Sequence, residues 1–226
     1  MSALRLRVRA PFAAFRPFQA GSYRSTLPVM PPSAAYGLVL NLAGIEMREP
    51  GDAITRIRAD APLLRIAVGV LSFSERSSLY QQLHSYPVGS SGKDFLERTH
   101  GAKYWIAPVR REVLVDYDGV IAVEGPDEIL ARVQRGLNGQ LDEPRYGLPF
   151  AGDNNFLFDR IDIAQVPAHW YFRIDAHAAP VKGSTRLTIS IDREDNSKTM
   201  LGLFAPTPSA TDEPPEESWQ WVPKTP

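Results

Sequence analysis

The sequence predicts an α+β fold, and three observations predict it. Apolar and basic residues alternate over Leu4–Arg9, two later stretches carry apolar side chains at helical spacing, and β-branched apolar runs lie between and after them. Period two puts alternate side chains on opposite faces of a strand, whereas a spacing of three to four puts them on one face of a helix. The 226 residues suit one large domain, with 43% apolar residues to build a core.

The first strand sets Leu4, Leu6 and Val8 against Arg5, Arg7 and Arg9. Residues 11–30 are rich in Phe, Pro, Gly and Ser and read as a long loop; in compact domains such loops are usually functional or disordered. Pro31, Pro32 and Ser33 open a helix, with Ser33 as its capping side chain. Ala35, Leu38 or Val39, Leu42 and Ile45 continue it, and Gly44 ends it. Residues 63–73 form a buried central strand. The polar, mixed-charge stretch 75–103 reads as a protruding, thumb-like insertion. Residues 104–117 and 120–123 then form a hairpin turned at Asp118 and Gly119. A second helix starts at Pro126, with Asp127 and Glu128 in its first turn, where the helix dipole favours acids. Ile129, Val133 and Leu137 make its apolar stripe, and Gly136 and Gly139 bracket its end. A glycine-containing loop over 145–155 precedes strands at 156–163, 170–175 and 186–192.

The domain organisation expected is therefore one domain over 1–204, with an insertion at about 75–103, and a Pro-rich acidic tail over 205–226 that is flexible in isolation or draped on a partner. The order strand, helix, strand, strand, helix, strand, with additional C-terminal strands, is the ferredoxin-like (RRM-like) motif. One face of that sheet binds RNA in recognition domains, although the fold hosts many functions.

The formal net charge of −1 hides an asymmetry: Arg5, Arg7, Arg9, Arg16 and Arg24 precede the first acid, Glu46, while Asp212, Glu213, Glu216 and Glu217 crowd the tail. Polyanions respond to local potential rather than to the sum; a solvated arginine face is the alternative. The absence of cysteine excludes disulfides, thiolate metal sites and a cysteine nucleophile. No run approaches the roughly 20 apolar residues that span a bilayer, and the N-terminus lacks a signal-type apolar run. A cytoplasmic protein with no membrane partner is expected. No His-Glu-x-x-His or clustered acidic ligand motif appears, so no metal and no cofactor are expected. Asp192, Glu194 and Asp195 read as a solvated turn.

The most informative stretch is A-P-F-A-A-F-R-P-F over 10–18 followed by S-Y-R-S-T-L-P-V-M-P-P-S-A-A-Y-G over 22–37. It resembles the N-terminal signature of the fifth family of CRISPR-associated proteins, within the repeat-associated RNA-binding superfamily. The matching positions are Phe12, Phe15, Arg16, Thr26, Pro28, Pro31, Pro32, Ser33 and Gly37, and Tyr146–Gly152 matches the family's downstream glycine-bearing loop. The resemblance implies a subunit that holds the 5′ handle of CRISPR RNA in a type I Cascade-like effector complex. It would cap the repeated backbone subunit, contact the large subunit, and lie near target DNA through the complex, in antiviral defence or RNA-guided DNA targeting. In relatives an insertion after the second core strand acts as a thumb across the guide RNA, and 75–103 is its counterpart here.

The residues also have a reading of their own. A guanidinium can fork onto phosphate and stack on a base, which suits Arg16 and Arg24 beside Tyr23. Phe12, Phe15 and Phe18 either stack on bases or pack the loop onto the sheet, and packing is expected for Phe12 and Phe15. Ser33 and the free N–H groups of the first turn form an anion site or a plain cap. Gly37 costs helix stability and suits close approach of RNA or of the sheet. Of Arg110 and Arg111 only one can face RNA. The RNA contacts expected are Arg16, Tyr23, Arg24, Ser25, Ser33, Tyr36, Gly37, Arg111, Gly147 and Phe150.

A non-catalytic role is expected. The alternative is a metal-independent endoribonuclease acting on precursor CRISPR RNA, for which His100, Lys103 and Tyr104 supply acid–base residue types. The family's processing branch opens its first helix with T-P-S-A-A-R-G, and here Tyr36 stands where that arginine would be.

Overall fold

The computed structural model describes residues 2–17, 23–49, 57–87, 100, 104–175, 177, 179, 181–192 and 195–223. In chain order the elements are β1 (Ser2–Ala13), α1 (Pro32–Leu42), β2 (Leu64–Val70), β3 (Glu75–Pro87), β4 (Tyr104–Gly125), α2 (Asp127–Leu137), β5 (Arg160–Ile163), β6 (His169–Arg173), β7 (Thr185–Ser190), β8 (Met200–Pro206) and β9 (Gln220–Val222). The central strands run in the order β5-β1-β4-β2, each antiparallel to its neighbour. That is the ferredoxin-like arrangement, with α1 and α2 as its two helical connections.

Alternation along the strands decides which face is covered. Leu4, Leu6 and Val8 of β1, Ile121 and Val123 of β4, and Ile66 and Val68 of β2 join Val39 and Leu42 of α1 and Leu130 and Val133 of α2 in one buried core. The opposite face carries Arg5, Arg7 and Arg9 and a smaller cluster of Ala67, Val120, Ala122, Ala168 and Trp170. Strands β6, β8 and β7 continue the sheet beyond β2 and fold back, so that Leu187, Ile189 and Phe204 join the main core beside α1.

Helix α1 ends as a Schellman motif. Gly44 sits at φ 68°, its N–H donates to the Asn41 carbonyl, and the Ile45 N–H donates to the Leu40 carbonyl. Its start differs from expectation: Pro31 is the N-cap and Ser33 lies inside the first turn, with no side-chain cap bond. Helix α2 approaches α1 at Gly136, where an added Cβ would stand 1.8 Å from the Leu42 carbonyl oxygen. Gly136→Ala must push the helices apart, at a cost of about 1–3 kcal/mol. Thermal unfolding is expected several degrees lower; an unchanged melting temperature would contradict this helix contact.

The sequence suggested a hairpin turned at Asp118 and Gly119; β4 instead runs unbroken for 22 residues. Gly119 is paired on both edges, with Val8 and with Val70, and its missing side chain makes room for the Tyr117 ring. The Asp118 carboxylate, free to cap a turn in an isolated peptide, accepts from Arg7 at 2.9 and 2.6 Å. Asp116, at φ 51°, marks where one edge of β4 passes from β2 to β3. Beyond it β3 and β4 run on as a ribbon that takes up the first part of the expected insertion, flanked at its base by Phe12 and Ala13 of β1 and by a bridge from Arg24 to Arg111.

The expected flexible tail is also corrected. Residues 207–223 pack back on the domain: β9 pairs with β2, Ala168 and Thr211 bridge, and Ser218, Gln220 and Val222 are buried. Its prolines and acids suggested disorder, but Trp219 and Val222 give it apolar surface to bury against β2.

Candidate nucleic-acid interface

Strand β1 leads directly into the aromatic-arginine loop. The Phe15 N–H donates to Thr26 Oγ1 at 3.0 Å, the Leu27 N–H donates to the Phe15 carbonyl at 2.7 Å, and the Ala14 N–H donates to the Ala151 carbonyl at 3.0 Å. These bonds close the base of the loop and tie it to the glycine-bearing segment 146–152. Phe15 is buried edge-on against Tyr117, with centroids 5.0 Å apart, as expected for a packing residue. Phe12 departs from that expectation: it is 45% exposed and lies beside Phe156. Phe18 lies outside the described residues. Arg16, one residue past the anchor Phe15, is exposed.

A cleft of about 730 Å³ opens between α1 and segment 146–152, and Arg16, Ser33, Gly37, Gly147 and Phe150 all line it. Ser33, Gly37 and Asn41 come once per turn on one face of α1 and form one wall. Tyr146, Leu148 and Phe150, all exposed at their rims, form the other. The Asn41 Nδ2 donates to the Gly147 carbonyl at 3.0 Å and sets the distance between the walls. Gly152, at φ 82°, lets the second wall descend onto the first loop, because a Cβ there would stand 2.4 Å from the Ala14 carbonyl oxygen. At the far end Arg48 lies 5.3 Å over the Tyr146 ring and forks onto Glu46 at 2.8 and 2.6 Å. The Arg48 hydrogen bonds hold the Glu46 carboxyl below its usual range, and burial pushes the Tyr146 hydroxyl up. The cleft thus joins the exposed Arg16 at one end and the Glu46-paired Arg48 at the other to apolar walls able to take a base. In the first turn of α1 only the Ser33 N–H faces it undonated, since Pro32 has none and the Ala34 and Ala35 N–H groups donate to the Pro31 carbonyl.

The other expected contacts are distributed differently. Tyr23, Arg24 and Ser25 run beside β4, where the Arg24 N–H donates to the Arg110 carbonyl and the Arg24 carbonyl accepts from the Glu112 N–H. Tyr23 is exposed, and its hydrogen bond to Glu112 pushes its hydroxyl up. Tyr36 is buried instead, donating its hydroxyl to the Pro62 carbonyl at 2.8 Å. Arg111 is also a correction. It is 2% exposed, paired with Asp153, bonded to Gln81 at 3.1 Å and stacked 5.4 Å over Phe156. Arg110 is the member of that pair that faces out, held by Ser78 Oγ at 3.2 and 3.1 Å beside the exposed Tyr80. For the nuclease alternative, His100 sits at φ 50°, while Lys103 lies outside the described residues, as does the side chain of Tyr104.

The arginines of β1 are not an anion site. Arg7 meets Asp118, Arg9 meets Asp162 at 3.3 Å, and Arg5 meets Glu213. A second concavity of about 810 Å³, lined by Arg173, Arg186, Trp219 and Trp221 among others, gathers none of the expected RNA contacts. Among the described residues no three His, Asp or Glu side chains are placed to hold a metal, and no helix is long and apolar enough to cross a membrane.

Residues 3–139 match the family model described as CRISPR-associated protein (Cas_Cas5). The chain belongs to this family. Its fold is similar to that of a chain from a solved "CRISPR RNA-guided surveillance complex", with a TM-score of 0.59 at 17% identity over 96% of each chain. A second solved structure, titled "Crystal structure of Cas protein", aligns over 95% of this chain and 100% of its own at 12% identity and a TM-score of 0.48. No curated protein matches. The family model covers β1, the loop, α1, the ribbon strands and α2, and stops before segment 146–152.

Proposed function

We propose that the protein is a non-catalytic subunit of a type I CRISPR effector complex. In this reading it holds the 5′ handle of CRISPR RNA in the cleft between α1 and segment 146–152. The observation that carries the reading is that Arg16, Ser33, Gly37, Gly147 and Phe150, more than a hundred residues apart in sequence at the extremes, line one cleft. A phosphate sits between Arg16 and Ser33, and a base lies between Gly37 and Phe150. The outward side of the ribbon, with Tyr23, Tyr80 and Arg110, receives the RNA as it leaves the cleft. The backbone subunit and the large subunit are the protein partners the family membership suggests, with target DNA brought near by the complex. Burial of Tyr36, at the position where the processing branch carries arginine, favours binding over cleavage.

Gly37→Ala tests this placement. Met47 Cε is 3.5 Å from an added Cβ, an ordinary contact, so the substitution fits and should raise helix stability by roughly 0.5–1 kcal/mol. The melting temperature should hold or rise, while affinity for repeat-derived RNA, read by fluorescence anisotropy, falls several-fold. Unchanged affinity would mean that no RNA passes over this turn of α1.

A further inference from the structure

In RNA-recognition domains of this topology the exposed sheet face is the binding platform. Here that face is crossed by residues 207–219, a stretch with four acids and no lysine or arginine, before the chain joins the sheet as β9. The segment is fastened rather than draped. The Ala168 and Thr211 N–H groups each donate to the other's carbonyl at 3.0 Å, and Trp170 Nε1 donates to the Thr211 carbonyl at 3.0 Å. Its acids meet the arginines of the sheet. Arg5 donates to the Asp212 carbonyl and pairs with Glu213; Arg65 pairs with Glu216 as well as with Glu124, and lies 5.2 Å over Trp219. Arg7 and Arg9 have carboxylates from neighbouring strands, but among the described residues Arg5 finds its carboxylate only in this segment. The Glu213 and Glu216 side chains are 79% and 78% exposed, so they also present negative charge outward.

We infer that the acidic C-terminal segment is a specificity device: it stands where a nucleic-acid backbone would lie on the sheet and keeps RNA off that face. It occupies the arginines as phosphates would and repels a second polyanion. The inference rests on the protein's proposed RNA-binding role, not on the cleft being the place where RNA binds.

The test compares the full chain with the variant Asp212→Asn, Glu213→Gln, Glu216→Gln, using a 20-nucleotide oligouridine as probe over a salt series. Each additional phosphate bound steepens the dependence of log affinity on log salt by about 0.7 for single strands. The variant should bind oligouridine about three- to tenfold more tightly at low salt, with a slope steeper by about one to two, and adding Arg5→Ala should reverse part of the gain. Glu213→Gln alone, a change at an exposed side chain, should give a smaller rise of the same sign. Asp127→Asn, Glu128→Gln, Glu143→Gln changes net charge equally at exposed positions off this face and should give no gain. No gain from either tail variant, or an equal gain from this control set, would overturn the inference. Loss of repeat-RNA binding on Gly37→Ala is a separate readout, so failure of the cleft assignment is distinguishable from failure here.

Discussion

Arg16→Ala is expected to weaken binding of repeat-derived RNA at least tenfold without lowering thermal stability. Arg16 is exposed, and among the described residues none pairs with it, so its removal leaves no buried partner behind. The neighbouring Phe15 and Thr26 close the loop by backbone and hydroxyl bonds that the substitution does not touch. A charged hydrogen bond contributes about 1.5–3 kcal/mol, and a lost phosphate contact also reduces the salt slope by about one. Arg16→Lys keeps the charge but loses the planar fork, and should recover part of the affinity. Equal binding by Arg16→Ala and the unaltered chain at low salt would place the RNA elsewhere.

Arg111→Ala should have the largest effect on stability, about 3–5 kcal/mol, because it strands a carboxylate. Asp153 lies in segment 146–157 and is largely covered; Arg111 comes from the ribbon and is fully covered. Removing one partner of a buried pair costs far more than the pair contributes. Burial alone would raise the Asp153 carboxyl, but the hydrogen bond and charge of Arg111, with further bonds from Asn155, outweigh it and hold it below its usual range. A carboxyl depressed in the folded state stabilises at pH above its unfolded value, and that stability is lost as pH falls through the folded value. Acid unfolding of the intact chain should therefore carry a component below the ordinary aspartate range that Asp153→Asn removes. Because Arg111 also bonds Gln81 of β3, its loss should loosen the ribbon relative to segment 146–157. If Arg111→Ala melts within a degree or two of the unaltered protein, the pair is not buried as described.

Arg110 and Arg111 show what the sequence could and could not convey. Strand periodicity established that they face opposite sides, but not which side lies against Asp153, since that carboxylate arrives from 42 residues away. The core strands, both helices and the ferredoxin-like order were legible because each rests on local spacing or a local glycine, as at Gly44. The Asp118-Gly119 turn was misread because the glycine answers to Tyr117 packing, a contact invisible in dipeptide preference. Likewise the β1 arginines looked like an anion surface until Asp118, Asp162 and Glu213 were brought to them by long-range pairing. Motif resemblance singled out Arg16, Ser33, Gly37, Gly147 and Phe150, and the fold brings these five to one cleft. Asn41 and Arg48 were missed. Asn41 continues the Ser33 and Gly37 spacing by one more turn, a signal that helical periodicity alone could have supplied. Alternation of Ser78 and Tyr80 in β3 would likewise have marked the outward face of the ribbon.

Ultraviolet cross-linking of the tagged protein in its native host, with sequencing of the bound RNA and mapping of the cross-linked peptides, bears most directly on the RNA-holding role. Short RNAs sharing a repeat-derived 5′ end, cross-linked to peptides that contain Arg16 or the 146–150 segment and recovered with other CRISPR subunits, are expected. Recovery without such RNA, or with cross-links confined to the sheet face under residues 207–219, would contradict it.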